Sequence, residues 1–213
     1  MFKSLTNIFR VQELRDRILY TVMAILVYRI GSHIPTPGID PTALLEFLSS
    51  AQGGGGLLTI MDLFSGGALF RFSILALGIM PYISASIIMQ LLGVVIPALE
   101  RMQKEGESGR KKINQYVRYL ALVLCIIQSA AMASWIQSIN EGAMIYMNPG
   151  LGFVLIVVAT ATAGTMFLMW LGDQITERGL GNGISVIIFA GIVARIPAGV
   201  YDMIQKKDSE YLN

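Results

Sequence analysis

FSILALGIMPYISASIIMQLLGVVIPAL, residues 72–99, contains no Asp, Glu, Lys or Arg in 28 positions. A bilayer's hydrocarbon core takes about 20 apolar residues in helix, so this run is long enough to cross one. Two more charge-free runs, residues 119–140 and 142–172, pass the same test. Only 14% of the 213 residues are charged and 54% are hydrophobic, whereas an ordinary soluble domain carries roughly 25% charged residues. The sequence therefore reads as an all-α integral membrane protein.

Working outward, residues 18–34 form an expected first span that stops at Pro35, because proline disfavours helix at and before itself. Arg29 near its end is expected to snorkel to the interface. The others fall at residues 72–95, 119–139, 151–171 and 184–200, the last interrupted by Arg195 and Pro197. Five spans leave the two ends on opposite sides. Assigned to alternate sides, eleven Lys and Arg, from Lys3 to Arg178, face five: Arg29, Arg71, Arg195, Lys206 and Lys207. Cytoplasmic loops are enriched in these residues, so the N-terminus is expected in the cytoplasm and residue 213 outside. Residues 1–17, with Phe2, Leu5, Ile8, Phe9 and Val11 among basic residues, read either as a surface-lying amphipathic helix or as a solvated tail. No small-residue cleavage site follows, so the first span is expected to be retained.

About 37 residues separate the first two spans, long enough to hold structure of their own. IPTPGID (34–40) is a rigid turn, 41–49 a short amphipathic stretch and 53–56 a glycine run. LLTIMDLF (57–64) then precedes SGGA (65–68). Eight residues cannot span; they read as a half-helix re-entering the membrane, or as a surface helix in the outer interface. A re-entrant break at Gly66 and Gly67 implies an adjoining cavity, because irregular backbone at membrane depth needs protein or water around it. Pro81 favours a kink in span two. Ile79 and Ile83 lie four apart, as do Ile184 and Ile188, and each pair shares a helix face. The spacing fits a lipid-facing or helix-facing stripe, or an apolar constriction if the two faces meet. Ser84, Ala85, residues 159–164 and Gly191 are small enough for close helix approach.

Several function classes recede. The clear spans hold Gln90 and Gln128 but no carboxylate or histidine, which argues against ion-coupled transport. GLGNG (179–183) lacks the preceding strand and lysine of a phosphate loop, and reads as a turn whose Asn182 or Ser185 caps span five. His33 is the only histidine, no metal-ligand cluster is visible, and span serines lack a base, so neither an enzyme nor a cofactor is expected. A net charge of +2 gives no case for nucleic acid, and the lone Cys125 is assigned to packing.

Six motifs in order, RIGS with PTPGID (29–32, 35–40), FSGGA (64–68), GIMPYISAS (78–86), EGESGR (105–110), GTMFLMWLG (164–172) and QITERG (174–179), together resemble the N-terminal half of the SecY family, the main subunits of protein-conducting channels. The resemblance covers essentially the whole chain. It implies one half of an inverted-repeat fold of ten spans around an hourglass pore: five spans plus a plug half-helix. Leu57, Leu58, Ile60, Met61, Leu63, Phe64, Ser65, Gly66 and Gly67 take the plug positions, tethered by glycines at both ends, and Ile79, Ile83, Ile184 and Ile188 the pore-ring positions. Spans two and three become one side of a lateral gate, with Ile87, Met89, Gln90 and Gln128 on it.

The implied function is passage of unfolded polypeptides across the membrane and lateral release of signal or transmembrane segments. Implied partners are SecE, a SecG-type small subunit, and the SecA motor or a ribosome docking mainly on the other half. The implied site is a bacterial plasma membrane, with a thylakoid the other option. The sequence stops at Asn213 after five expected spans, so residues 201–213 become a hinge toward a missing half, supplied by another chain or lost by truncation. Half of a small-solute secondary transporter and a non-conducting brace are the competing readings.

Overall fold

The computed structural model describes residues 11–40, 42, 44, 60, 62–139 and 150–210, with backbone alone for 139, 195 and 198–210. Residues 1–10, most of 41–59 and the 140–149 connection, with the expectations placed on them, lie outside this set. Among the described residues the helices run in order α1 Gln12–Gly31, α2 Met80–Val95, α3 Pro97–Lys104, α4 Glu107–Ile139, α5 Leu151–Arg178 and α6 Gly183–Glu210. α4 and α5 are each long and apolar enough to cross a membrane; α2 with α3 qualifies as a third only as a bent pair, and Gly183–Ala194 is a shorter apolar stretch.

The helices depart from the expected spans at their ends. α1 stops at Gly31 rather than residue 34, closed by the Ser32 N–H on Tyr28 O at 3.0 Å, and Pro35 follows. α4 begins at Glu107 and α5 ends at Arg178, so both extend past the expected spans 119–139 and 151–171. α6 continues through Pro197 to Glu210, past the expected end of span five at residue 200.

The largest correction concerns span two. Residues 72–79 are turns, not helix, with positive φ at Phe72 (44°) and Gly78 (55°). Their backbone is paired elsewhere: Ile74 N donates to Ile34 O and Thr36 N to Phe72 O, each at 2.9 Å, around a bridge between Pro35 and Ser73. Irregular backbone in apolar surroundings persists only with such partners. Pro81 consequently opens α2, where its missing N–H costs nothing. The sharp bend comes later, 102° between α2 and α3, where Pro97 starts the new helix.

α2 packs on α4, α4 on α5, and α5 on α6 and α1. Small residues set the spacing, as expected. Ala85 and Ala121 are fully buried beside Met89, Val117 and Met169. The Cys125 thiol sits at 3.7 Å from Ala161 O, buried in a packing role. Gly164 of α5 lies beneath the irregular segment, where a Cβ would run into Ile74 O, and Thr165 Oγ1 donates to Gly78 O at 3.3 Å. Replacing Gly164 with Leu should therefore cost at least the 1–3 kcal/mol typical of overpacking, roughly, because the obstacle is backbone. A melting temperature unchanged from wild type in detergent would contradict this packing.

Candidate functional site

Two helix starts place the four isoleucines. Ile79 immediately precedes α2, and its carbonyl accepts from Tyr82 N and Ile83 N, both at 3.1 Å, which fixes Ile83 one turn on. At α6, Asn182 Oδ1 accepts from Ile184 N at 3.1 Å and Ser185 N at 3.3 Å, the cap read from sequence. Thr176 Oγ1 accepts from Gly183 N at 2.8 Å and donates to Gly172 O at 2.9 Å, tying the α6 start to the end of α5. Ile79 is buried with Ala24, Tyr28, Leu75, Leu168, Leu171, Ile175 and Ile187; Ile83, Ile184 and Ile188 are partly buried against this same cluster. The structure thus brings both pairs to one apolar centre.

Beside it lies a compact turn. Gly66 and Gly67 adopt φ of +67° and +89°, conformations open to glycine. Gly67 N donates to Asp62 O at 3.0 Å, Ser65 Oγ donates to Asp62 O at 3.0 Å and accepts from Leu69 N at 3.2 Å, and Phe70 N donates to Asp62 Oδ1 at 2.9 Å. Asp62 is fully buried. From α1, the Tyr28 hydroxyl donates to Ser65 O at 2.9 Å and Arg29 Nη1 to Gly66 O at 3.1 Å. Arg29, expected to snorkel, thus has a backbone acceptor within the protein. Of the positions assigned to the plug, Ile60, Leu63 and Phe64 are exposed, Ser65, Gly66 and Gly67 are buried, and Leu57, Leu58 and Met61 lie outside the described residues. The second glycine pair is thus a hydrogen-bonded turn rather than a loose tether.

The residues assigned to a lateral gate differ in burial. Met89 is buried under Val117, Ala121 and Met169, whereas Ile87 and Gln90 face outward and Gln128 of α4 is half-buried. Gln90 Nε2 donates to Ser86 Oγ at 3.3 Å. In the elbow between α2, α3 and α4, a cavity of about 460 Å³ is lined by Ser86, Gln90, Gln103, Arg110 and Asn114 with apolar neighbours. At the charged end of the bundle Arg118 of α4 meets Asp173 of α5 at 2.6 Å. Glu100 meets Lys104 at 2.6 Å, and that ammonium holds its carboxyl below the usual range. Such exposed pairs contribute little to stability. Among the described residues no group of three or more His, Cys, Asp or Glu could hold a metal.

Sequence reasoning missed Asp62 and the inward role of Tyr28 and Arg29. The one available signal was Asp62 itself, the sole charge in an otherwise apolar octet.

Apolar helices folded around a buried irregular segment define an α-helical membrane protein. The family model for SecY matches residues 73–212. The protein translocase subunit SecY of Aquifex aeolicus (strain VF5) is 50% identical over 97% of this chain and 48% of its own length. That of Escherichia coli (strain K12) is 54% identical over 91% of this chain and 43% of its own. A solved structure of a protein-conducting channel superposes with a TM-score of 0.60 at 19% identity, over 87% of this chain and 38% of that one. The chain belongs to the SecY family. It spans about half the length of the curated relatives it matches.

Asp62 gives the turn its testable core. Asp62→Ala removes the charged acceptor of the Phe70 amide at a cost of about 1–3 kcal/mol, whereas Asp62→Asn retains an acceptor oxygen and should cost less. Chemical denaturation of both variants in detergent checks the order; equal stability of Asp62→Ala and wild type would overturn it.

Proposed function

We propose that this chain forms the N-terminal half of a channel that passes unfolded polypeptides across a membrane and releases signal or transmembrane segments sideways into lipid. The observation that carries the reading is the convergence of Ile79, Ile83, Ile184 and Ile188 on one apolar centre, from the starts of two different helices. The names of the translocase relatives support it.

In this reading the four isoleucines supply part of a pore ring, and the other half of the channel supplies the rest. A narrow apolar ring breaks a continuous file of water and rejects hydrated ions, while flexible side chains give way around an extended polypeptide. α1, the irregular segment with α2, α4, α5 and α6 account for five spans, with the N-terminus cytoplasmic on the Lys and Arg distribution. Residues 57–67 form the plug on the outer side of the ring. α2 and α4 form one side of a lateral gate, with Ile87 and Gln90 its outward residues. SecE and SecG-type subunits brace the assembly, SecA or a ribosome docks mainly on the other half, and the membrane is a bacterial plasma membrane.

Ile83→Gly combined with Ile188→Gly, in the assembled channel reconstituted in a planar bilayer, should raise resting ion conductance several-fold. Unchanged conductance would remove the ring assignment. Saturable, gradient-driven uptake of a small solute by the same preparation would replace the function.

A further inference from the structure

The turn at residues 62–67 is held from two sides. On one side α1 provides side-chain donors to the carbonyls of Ser65 and Gly66: the Tyr28 hydroxyl at 2.9 Å and Arg29 Nη1 at 3.1 Å. On the other side α6 comes close enough that a Cβ on Gly66 would lie 3.0 Å from Gly191 Cα. A Cβ on Gly191 would in turn lie 3.0 Å from Phe64 O and 3.1 Å from the Tyr28 hydroxyl. The turn therefore sits in a slot whose walls are two hydrogen-bond donors and one glycine.

The slot is continuous with the isoleucine centre. Ile184, Ile188 and Gly191 follow the i, i+4, i+7 spacing of one helical stripe. Tyr28 belongs to the apolar cluster that the isoleucines border. Any shift of α6 that draws Ile188 away from that centre also draws Gly191 away from the turn.

We propose that Tyr28 and Arg29 are positioning residues of the closed channel, latching the 62–67 turn to α1 so that the plug stays seated until α6 moves. This rests on the plug reading given above. It also relocates the compliant point: the Gly66–Gly67 pair is the fastened end, and movement of the plug begins with loss of the two carbonyl contacts.

The test uses the assembled channel in lipid nanodiscs and planar bilayers, with Tyr28→Phe, Arg29→Met, Arg29→Lys and Gly191→Ala. Tyr28→Phe and Arg29→Met each delete a donor and little volume. The amides of Gly66 and Gly67, bonded to Leu63 O and Asp62 O, are the local reporters. Loss of one net hydrogen bond should speed their hydrogen exchange by about fivefold, with α4 and α5 unchanged, and should raise resting conductance. Arg29→Lys, which keeps a donor, should restore most of the protection. Gly191→Ala should reproduce the effect without removing a bond, because it crowds the slot.

Unchanged exchange at residues 66 and 67 overturns the latch, as does faster exchange spread through α4 and α5, which marks general loosening. Local loosening without a rise in conductance overturns its role in closure. Deleting residues 57–67 separates the two ideas. If that deletion leaves conductance unaltered, the plug reading fails on its own account; if the deletion leaks while the point variants stay sealed, the latch alone fails.

Discussion

Irregular backbone buried among apolar helices is the constraint on which the rest of this structure depends. Between Asp62 and Ile79 the chain has no continuous helix and no sheet, so its amides and carbonyls need other partners or would each cost several kcal/mol in an apolar medium. Asp62 and Ser65 serve the first part from within, the 34–36 segment serves Phe72 and Ile74, Thr165 serves Gly78, and Tyr28 and Arg29 serve Ser65 and Gly66. Those partners come from α1, the loop after it and α5. Each of these elements must therefore stand where it does, and Gly164 is the opening that lets α5 approach Ile74 O.

The isoleucine centre follows from the same constraint. Because the chain stays irregular as far as Gly78, α2 begins at Met80 and Ile79 becomes the last residue before a helix instead of one inside it. Ile184 likewise occupies the first turn of its helix, set there by the Asn182 cap and the Thr176 hydroxyl. Helix starts are well-defined points in space when capped. Two of them aimed at one cluster bring four side chains together without any of the four carrying a polar group.

What was legible in the sequence divides along physical lines. The charge-free runs located the apolar helices, because transfer into lipid is a sum over local residues. Helix ends were not legible in this way: residues 107–118 and 172–178 are polar yet helical, and hydropathy reports where a helix leaves lipid, not where it ends. The irregular residues 72–79 were hidden inside an apolar run, since burial by protein and burial by lipid select the same side chains. Fourfold spacing made each isoleucine pair visible, but their convergence depends on helices about 100 residues apart in sequence. The Arg29 contact stayed hidden for the related reason that its acceptor, Gly66, is 37 residues away.

The two parts of the site resist opening in different ways. Contacts among the isoleucines are dispersion contacts, each tiny, non-directional and exchangeable for contacts with another apolar or flexible surface. Such a ring yields by degrees. The contacts on Ser65 and Gly66 are hydrogen bonds, which weaken steeply once distance and angle leave a narrow range. A fastening of that kind is either made or lost. With the gradual element on α2 and α6 and the abrupt one on α1, the ring can fluctuate slightly while the turn stays fixed, and release of the turn is reserved for displacements large enough to break both bonds.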